Sequence, residues 1–168
     1  MNAISYWEHS AYFSHLDVVV IGGGIVGLNA AICLKENAPQ LKVTVLERGA
    51  LPAGASTKNA GFACFGSMTE LLADTEKRSE NEVFELVKER WEGLKRLRNN
   101  LTDQAIRYQS LGGYELFFQQ QEDSYQKCSS KLSHFNAILQ EVIGVKEVFS
   151  SKDDLLPLFG FRKATHLL

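Results

Sequence analysis

Hydrophobic positions change their period several times along this chain, and each change marks an element. Val18, Val19, Val20 and Ile21 form an unbroken β-branched run, the pattern of a parallel strand buried on both faces. A glycine cluster, Gly22-Gly23-Gly24-Ile25-Val26-Gly27, opens an apolar helix that runs to about residue 36. Residues 41–46 read as a second strand ending at Glu47. Farther on, Ser79 and Glu82 have the capping-box spacing of a helix start. The stripe Val83, Val87, Trp91, Leu94, Leu97 and Leu101 then follows at three- and four-residue steps. Around residue 104 the period shortens: Ile106, Tyr108 and Ser110 alternate with Arg107 and Gln109. Leu111-Gly112-Gly113 turns the chain into residues 114–118, so the segment reads as a β-hairpin. A second amphipathic helix carries Tyr125, Cys128, Leu132, Phe135, Leu139 and Val142 and stops at Gly144. Residues 145–149 read as a short strand, and 150–154 as the start of a last helical turn.

The first of these patterns has chemical content. Gly22 permits a tight turn, Gly24 lets the backbone approach a pyrophosphate, and Gly27 lets the helix sit close to the strand. The helix then directs its unpaired N–H groups and positive dipole end at the phosphates. Glu47 lies twenty residues beyond Gly27, where an acid accepts a hydrogen bond from an adenosine ribose. A carboxylate there repels a 2′-phosphate, so FAD or NAD fits and NADP does not. A glycine triplet by itself also occurs in unrelated α/β turns. Strand, glycines, helix, strand and acid in this order favour dinucleotide binding.

Composition narrows the remaining classes. The chain has 168 residues, 18 basic and 20 acidic, enough for one good core or one domain and part of another. There is no basic excess to suggest nucleic acid. Cys33, Cys64 and Cys128 are odd in number and widely spaced, so they give neither a metal motif nor a disulfide framework and suit a reducing compartment. No apolar stretch reaches the length of a membrane span. The first fifteen residues lack the basic and apolar regions of a signal peptide. The expected location is the cytoplasm.

Other residues read more simply. The segment from Ala53 through Ser56, Thr57, Lys58, Asn59 and Gly61 to Phe62 is rich in small donors and carries one positive charge. Following a dinucleotide strand and acid, it suits an anionic, flat ligand. Trp91, Tyr114 and Cys128 are read as core residues, and His134, off its stripe, as exposed. Cys64, between Ala63 and Phe65, has an apolar setting and is read as structural or incidental, without a redox or covalent-flavin role.

The fold class is therefore α/β. Residues 15–102 form a Rossmann-like βαβ unit with following helices, and residues 103–168 an incomplete α+β segment.

The series DVVVIGGGIVGLNAAICL, VTVLERG and GASTKNAGFA resembles the N-terminal part of the FAD-dependent oxidoreductases of the D-amino acid oxidase and glycine oxidase type. The likeness is specific from Asp17 to Gly66 and a matter of pattern from Ser79 to Phe118. The resemblance implies that Gly22, Gly24 and Gly27 bind the FAD pyrophosphate and that Glu47 takes the adenosine ribose, with Arg48 near the adenine. It further implies that Ser56, Thr57 and Lys58 line the phosphate, ribityl and flavin path, with Asn59 and Gly61 beside the isoalloxazine ring.

By the same resemblance the substrate is an amine or amino acid, oxidised by hydride transfer to the flavin. No catalytic residue can be assigned, and no metal is expected. Family members are longer, so the expectation is a fragment: a second, partial substrate domain from residue 103, a downstream-encoded remainder as partner, and an isolated chain without activity. Two other readings stay open, a non-catalytic nucleotide-binding or interaction module and an NAD-dependent enzyme. The GAS loop argues against the last.

Overall fold

The computed structural model describes residues 4–161 and 163–168. They fall into two compact units that divide between Phe62 and Ala63.

The first unit opens with a helical turn, α1 (Tyr6–Glu8), whose capping box pairs Ser5 with Glu8. A π-helical turn, His9–Phe13, follows. Strand β1 (Val18–Ile21), helix α2 (Ile25–Asn37) and strand β2 (Val43–Leu46) then make a βαβ unit. The strands are parallel, with Val18 opposite Val43 and Ile21 opposite Leu46. The Asp17 carboxylate fixes this register by accepting the Lys42 N–H at 2.7 Å.

The sheet is not buried on both faces, as the apolar run suggests. A Cβ on Gly27 of α2 would lie 3.2 Å from Val20 Cγ1, so Val18 and Val20 face the helix. Val19 and Ile21 alternate to the other side and are 43% and 88% exposed. From Ile25 to Leu34 helix α2 is apolar except for Asn29, so apolar residues lie on several of its sides, the composition of a helix meant for burial on more than one face. Here Ile25, Val26 and Leu28 remain exposed.

The second unit has a closed core. Helices α3 (Met68–Thr75) and α4 (Glu80–Leu101) start at the capping boxes Ser67/Glu70 and Ser79/Glu82. Met68, Leu71, Val83, Phe84 and Val87 are buried against Tyr125, Cys128, Phe135 and Leu139 of α6 (Glu122–Ile143). Phe84 and Phe135 meet edge to face at 5.1 Å. The α4 stripe is deeply buried only in its first half. Trp91 is partly buried edge-on to Phe65, and Leu101 is exposed. Helix α6 ends at Gly144 in the left-handed region, as the sequence suggests.

Three local expectations are corrected. No hairpin forms between residues 106 and 118. The Thr102 hydroxyl accepts the Ala105 N–H and opens a short helix, α5 (Asp103–Ile106), ended by left-handed Arg107. Arg98 reinforces this turn with two 2.7 Å bonds to Asp103 and stacks over Tyr108 at 4.3 Å. Strand β3 (Leu116–Phe118) instead pairs antiparallel with β4 (Ala164–Leu167), which follows α7 (Leu156–Phe159). Residues 145–149 form no strand: at the end of this stretch the Asn136 side chain accepts from the Val148 and Phe149 N–H groups and donates to the Phe149 carbonyl. Tyr114 is not core but exposed, edge-on to Phe159. Phe117, one strand step beyond Leu116, takes the buried position.

The change of sequence pattern near residue 103 and the division of packing at residue 63 are different boundaries. Helix α4 shares its core with α6, so packing groups residues on both sides of 103. Among the described residues no helix is long and apolar enough to cross a membrane.

Candidate functional site

The end of β1, the start of α2 and the exit from β2 converge in the first unit. Gly22 takes φ +103°, a conformation that side chains disfavour. A Cβ on Gly27 would lie 2.2 Å from the Gly22 carbonyl oxygen, so the helix can approach the turn only because Gly27 has none. Gly24 is the N-cap of α2 in an extended conformation, and it offers no side chain to satisfy the helix's first N–H groups. That role falls to Ser56, whose Oγ accepts the Ile25 N–H at 2.9 Å. A Cβ on Gly24 would sit 3.2 Å from the same oxygen. The spacing of thirty-one residues hides this cap from local sequence rules.

Glu47 closes the other side. Its Oε2 accepts the Gly23 N–H at 2.8 Å and its Oε1 the Gly49 N–H at 3.3 Å. The Gly23 N–H first, then that of Gly49, and more weakly Arg48 hold the carboxyl below its ordinary range. Glu47 therefore stays ionised at neutral pH and presents only acceptors.

A cleft of about 280 Å³ lies between these groups, lined by Ile21, Gly22, Gly24, Leu46, Glu47, Arg48, Pro52, Ala53, Gly54 and Ser56. Ligand pockets run from roughly 300 to 1,000 Å³, so this one has room for part of a dinucleotide. It combines an apolar wall, an exposed cation at Arg48, an acceptor at Glu47 and a helix N-terminus. This donor set fits the adenosine and pyrophosphate end of FAD.

The sequence candidates separate accordingly. Gly22, Gly24, Glu47, Arg48 and Ser56 line the cleft, and Gly27 packs behind it. Thr57, Lys58, Asn59 and Gly61 do not line it. Thr57 Oγ1 donates to the Gly54 carbonyl at 3.0 Å, and Asn59 Oδ1 accepts the Gly61 N–H at 2.8 Å. These bonds shape the loop. Sequence reasoning gave no role to Gly23, whose amide orients Glu47, or to Pro52, which lines the cleft just before the small-donor segment that already includes Ala53 and Gly54.

A wider, shallow groove of about 520 Å³ on α2 is lined by Leu28, Ala31, Ile32, Lys35, Glu36 and Val43. It is nearly all apolar, and Lys35 Nζ is engaged with the Pro39 and Leu41 carbonyls. It offers no comparable donor set for a phosphate.

Of the cysteines, Cys128 is buried and its thiol is pushed up to about 11, chiefly by desolvation. Cys64 is exposed, contrary to its apolar sequence neighbourhood, because residues 61–67 run as irregular chain. His134 is exposed, as expected, with Nε2 2.9 Å from Glu80. No metal-holding cluster occurs among the described residues.

Residues 17–166 match the family described as "FAD dependent oxidoreductase". Among curated proteins, thiamine thiazole synthase of Yarrowia lipolytica is 41% identical over 49 residues, 29% of this chain and 16% of that protein. Thiamine thiazole synthase of Candida albicans is 43% identical over 49 residues, 29% of this chain and 14% of that protein. The matched stretch thus spans about a sixth or less of these relatives. No solved structure matches.

Proposed function

The chain belongs to the FAD-dependent oxidoreductase family, and from that premise we propose that its first unit holds the ADP part of FAD and serves the oxidation of an amino acid or amine. The observation that carries the binding reading is the cleft itself. A positive-φ glycine turn, an uncrowded helix N-terminus, an ionised acid and a cation border one space.

Each residue has a role on this reading. The Gly22, Gly23 and Ile25 N–H groups are engaged by Leu46, Glu47 and Ser56, so the Gly24 N–H and the remaining first-turn N–H groups of α2 serve the pyrophosphate, and the helix dipole favours its charge. Ser56 accepts from Ile25, so its own proton is directed elsewhere and can be donated to a phosphate oxygen. Glu47 uses one lone pair of each oxygen on Gly23 and Gly49 and keeps the others for ribose hydroxyls. Arg48 lies toward the adenine. Thr57, Lys58, Asn59 and Gly61 continue the path toward the flavin ring.

When bound, FAD supplies a two-electron acceptor, and the protein's part is to bind and orient. The amine or amino-acid substrate rests on the resemblance to D-amino acid and glycine oxidases. The likeness to thiamine thiazole synthases covers 49 residues, 29% of this chain, and gives no reason to assign thiazole synthesis.

We further propose that the 168 residues alone do not turn over substrate. Lys58, Asn59 and Gly61 are exposed, whereas hydride transfer needs reacting atoms held roughly 3–3.5 Å apart and shielded from water. The test is an assay for hydrogen peroxide and dye reduction with added FAD. It uses D- and L-amino acids and secondary amines, on this chain and on any longer product of the same reading frame. Amine- or amino-acid-dependent turnover by the longer product supports the reading. Turnover by these 168 residues alone overturns the second proposal, and no turnover by either with FAD bound overturns the substrate class.

A further inference from the structure

His166 lies in the second unit, and both of its ring nitrogens face carboxylates. Nδ1 is 3.0 Å from Asp153 Oδ2, and Nε2 is 3.2 Å from Glu122 Oε2. A neutral imidazole has one N–H and one lone pair, so one of these contacts would set a lone pair against a carboxylate. Only the imidazolium satisfies both.

The surroundings hold the ring in place. Tyr125 stacks on it with centroids 3.7 Å apart and planes within 1°, a placement that favours a cation over an aromatic face. Phe117 of β3 is its cross-strand partner and meets Tyr125 at 5.5 Å. Asp153 is anchored in turn, since its Oδ1 accepts the Leu167 N–H at 2.7 Å. Among the described residues, the charged groups facing the ring are Glu122 of α6 and Asp153 of the Asp153–Leu155 turn. Tyr125 of α6 covers its face, and β3 contributes apolar Phe117.

We propose that the Glu122–His166–Asp153 bridge, stacked on Tyr125, is a protonation-dependent latch that holds strand β4 to the start of α6 and to the 153–155 turn. The Asp153 hydrogen bond first, with help from the charges of Asp153 and Glu122, raises the His166 pKa above its ordinary 6.5. A raised folded-state value means the latch is fully closed below 6.5 and opens as pH rises through the folded value. The ring is about a quarter exposed, so solvent screening moderates the effect.

The test is an NMR titration of the His166 ring in the intact chain, with hydrogen exchange at the β4 amides corrected for the intrinsic pH dependence. A midpoint above 6.5 is expected, and β4 protection falls roughly fivefold through that midpoint, the scale of a partly exposed ion pair. His166→Phe keeps a ring over Tyr125 and abolishes the pH dependence. If that variant fails to fold, Glu122→Gln and Asp153→Asn each lower the midpoint. A midpoint at or below 6.5 in the native sequence, pH-dependent β4 protection in a folded His166→Phe variant, or a midpoint unmoved by both carboxylate substitutions would overturn the latch.

Discussion

Glu47 Oε2 accepts the backbone N–H of Gly23 at 2.8 Å, so the acid that ends β2 also fixes the glycine turn after β1. This acid therefore shapes the cleft as well as lining it. Truncating Glu47→Ala removes both the ribose acceptor and the anchor of the turn. The lost bond is charge-assisted and so among the stronger ones, and FAD binding should weaken by about tenfold or more. Fluorescence titration of FAD measures it.

The same bond sets a pH limit. Gly23, then Gly49 and Arg48, keep the Glu47 carboxyl below its ordinary value of 4.5. Its contribution is present above 4.5 and is lost as pH falls through the lower folded value. FAD affinity should therefore show no acid limb from Glu47 at or above pH 5. A titration series at falling pH should show the loss only below 4.5, and Glu47→Gln should remove that limb.

Gly27→Ala should destabilise the first unit, because its Cβ would fall 2.2 Å from the Gly22 carbonyl oxygen. Backbone on one side and Val20 on the other leave little room to relax. Overpacking of this kind costs about 1–3 kcal/mol. Hydrogen exchange at the β1 and β2 amides reports the loss unit by unit.

Ser56→Ala leaves the Ile25 N–H without its 2.9 Å acceptor and removes a donor to phosphate. Loss of a helix cap costs about 0.5–2 kcal/mol. FAD affinity should fall in the same variant, and Ser56→Thr should retain most of both. Thermal denaturation with and without FAD separates the two effects.

Cys64 and Cys128 should react oppositely with a thiol alkylating agent. Cys64 is exposed, whereas Cys128 is buried with its thiol raised to about 11. Mass spectrometry of the native chain should find Cys64 modified and Cys128 protected until unfolding.

The βαβ unit was legible because its signals are local: a β-branched run, glycines at fixed steps, and an acid where β2 ends. Ser56 was legible as a member of the small-donor segment but not as a helix cap, since thirty-one residues separate it from Ile25. The hairpin was misread for a related reason. Alternation at Ile106, Tyr108 and Ser110 yields to the Thr102 cap, and the partner of β3 lies almost fifty residues later in β4. Residues 145–149 have strand-like composition, yet one asparagine side chain takes the backbone groups of Val148 and Phe149. Burial of β1 on both faces was inferred from residue type, which says that a strand can be covered but not by what.

Binding of FAD to Gly24→Val measures the central claim most directly. Valine would place a branched side chain beside Ser56 Oγ, where a Cβ alone comes within 3.2 Å, and would fill the approach to the helix N-terminus. Equilibrium dialysis should show FAD bound by the native sequence and lost from a Gly24→Val chain that remains folded by circular dichroism. Undiminished FAD binding by that folded variant would contradict the account.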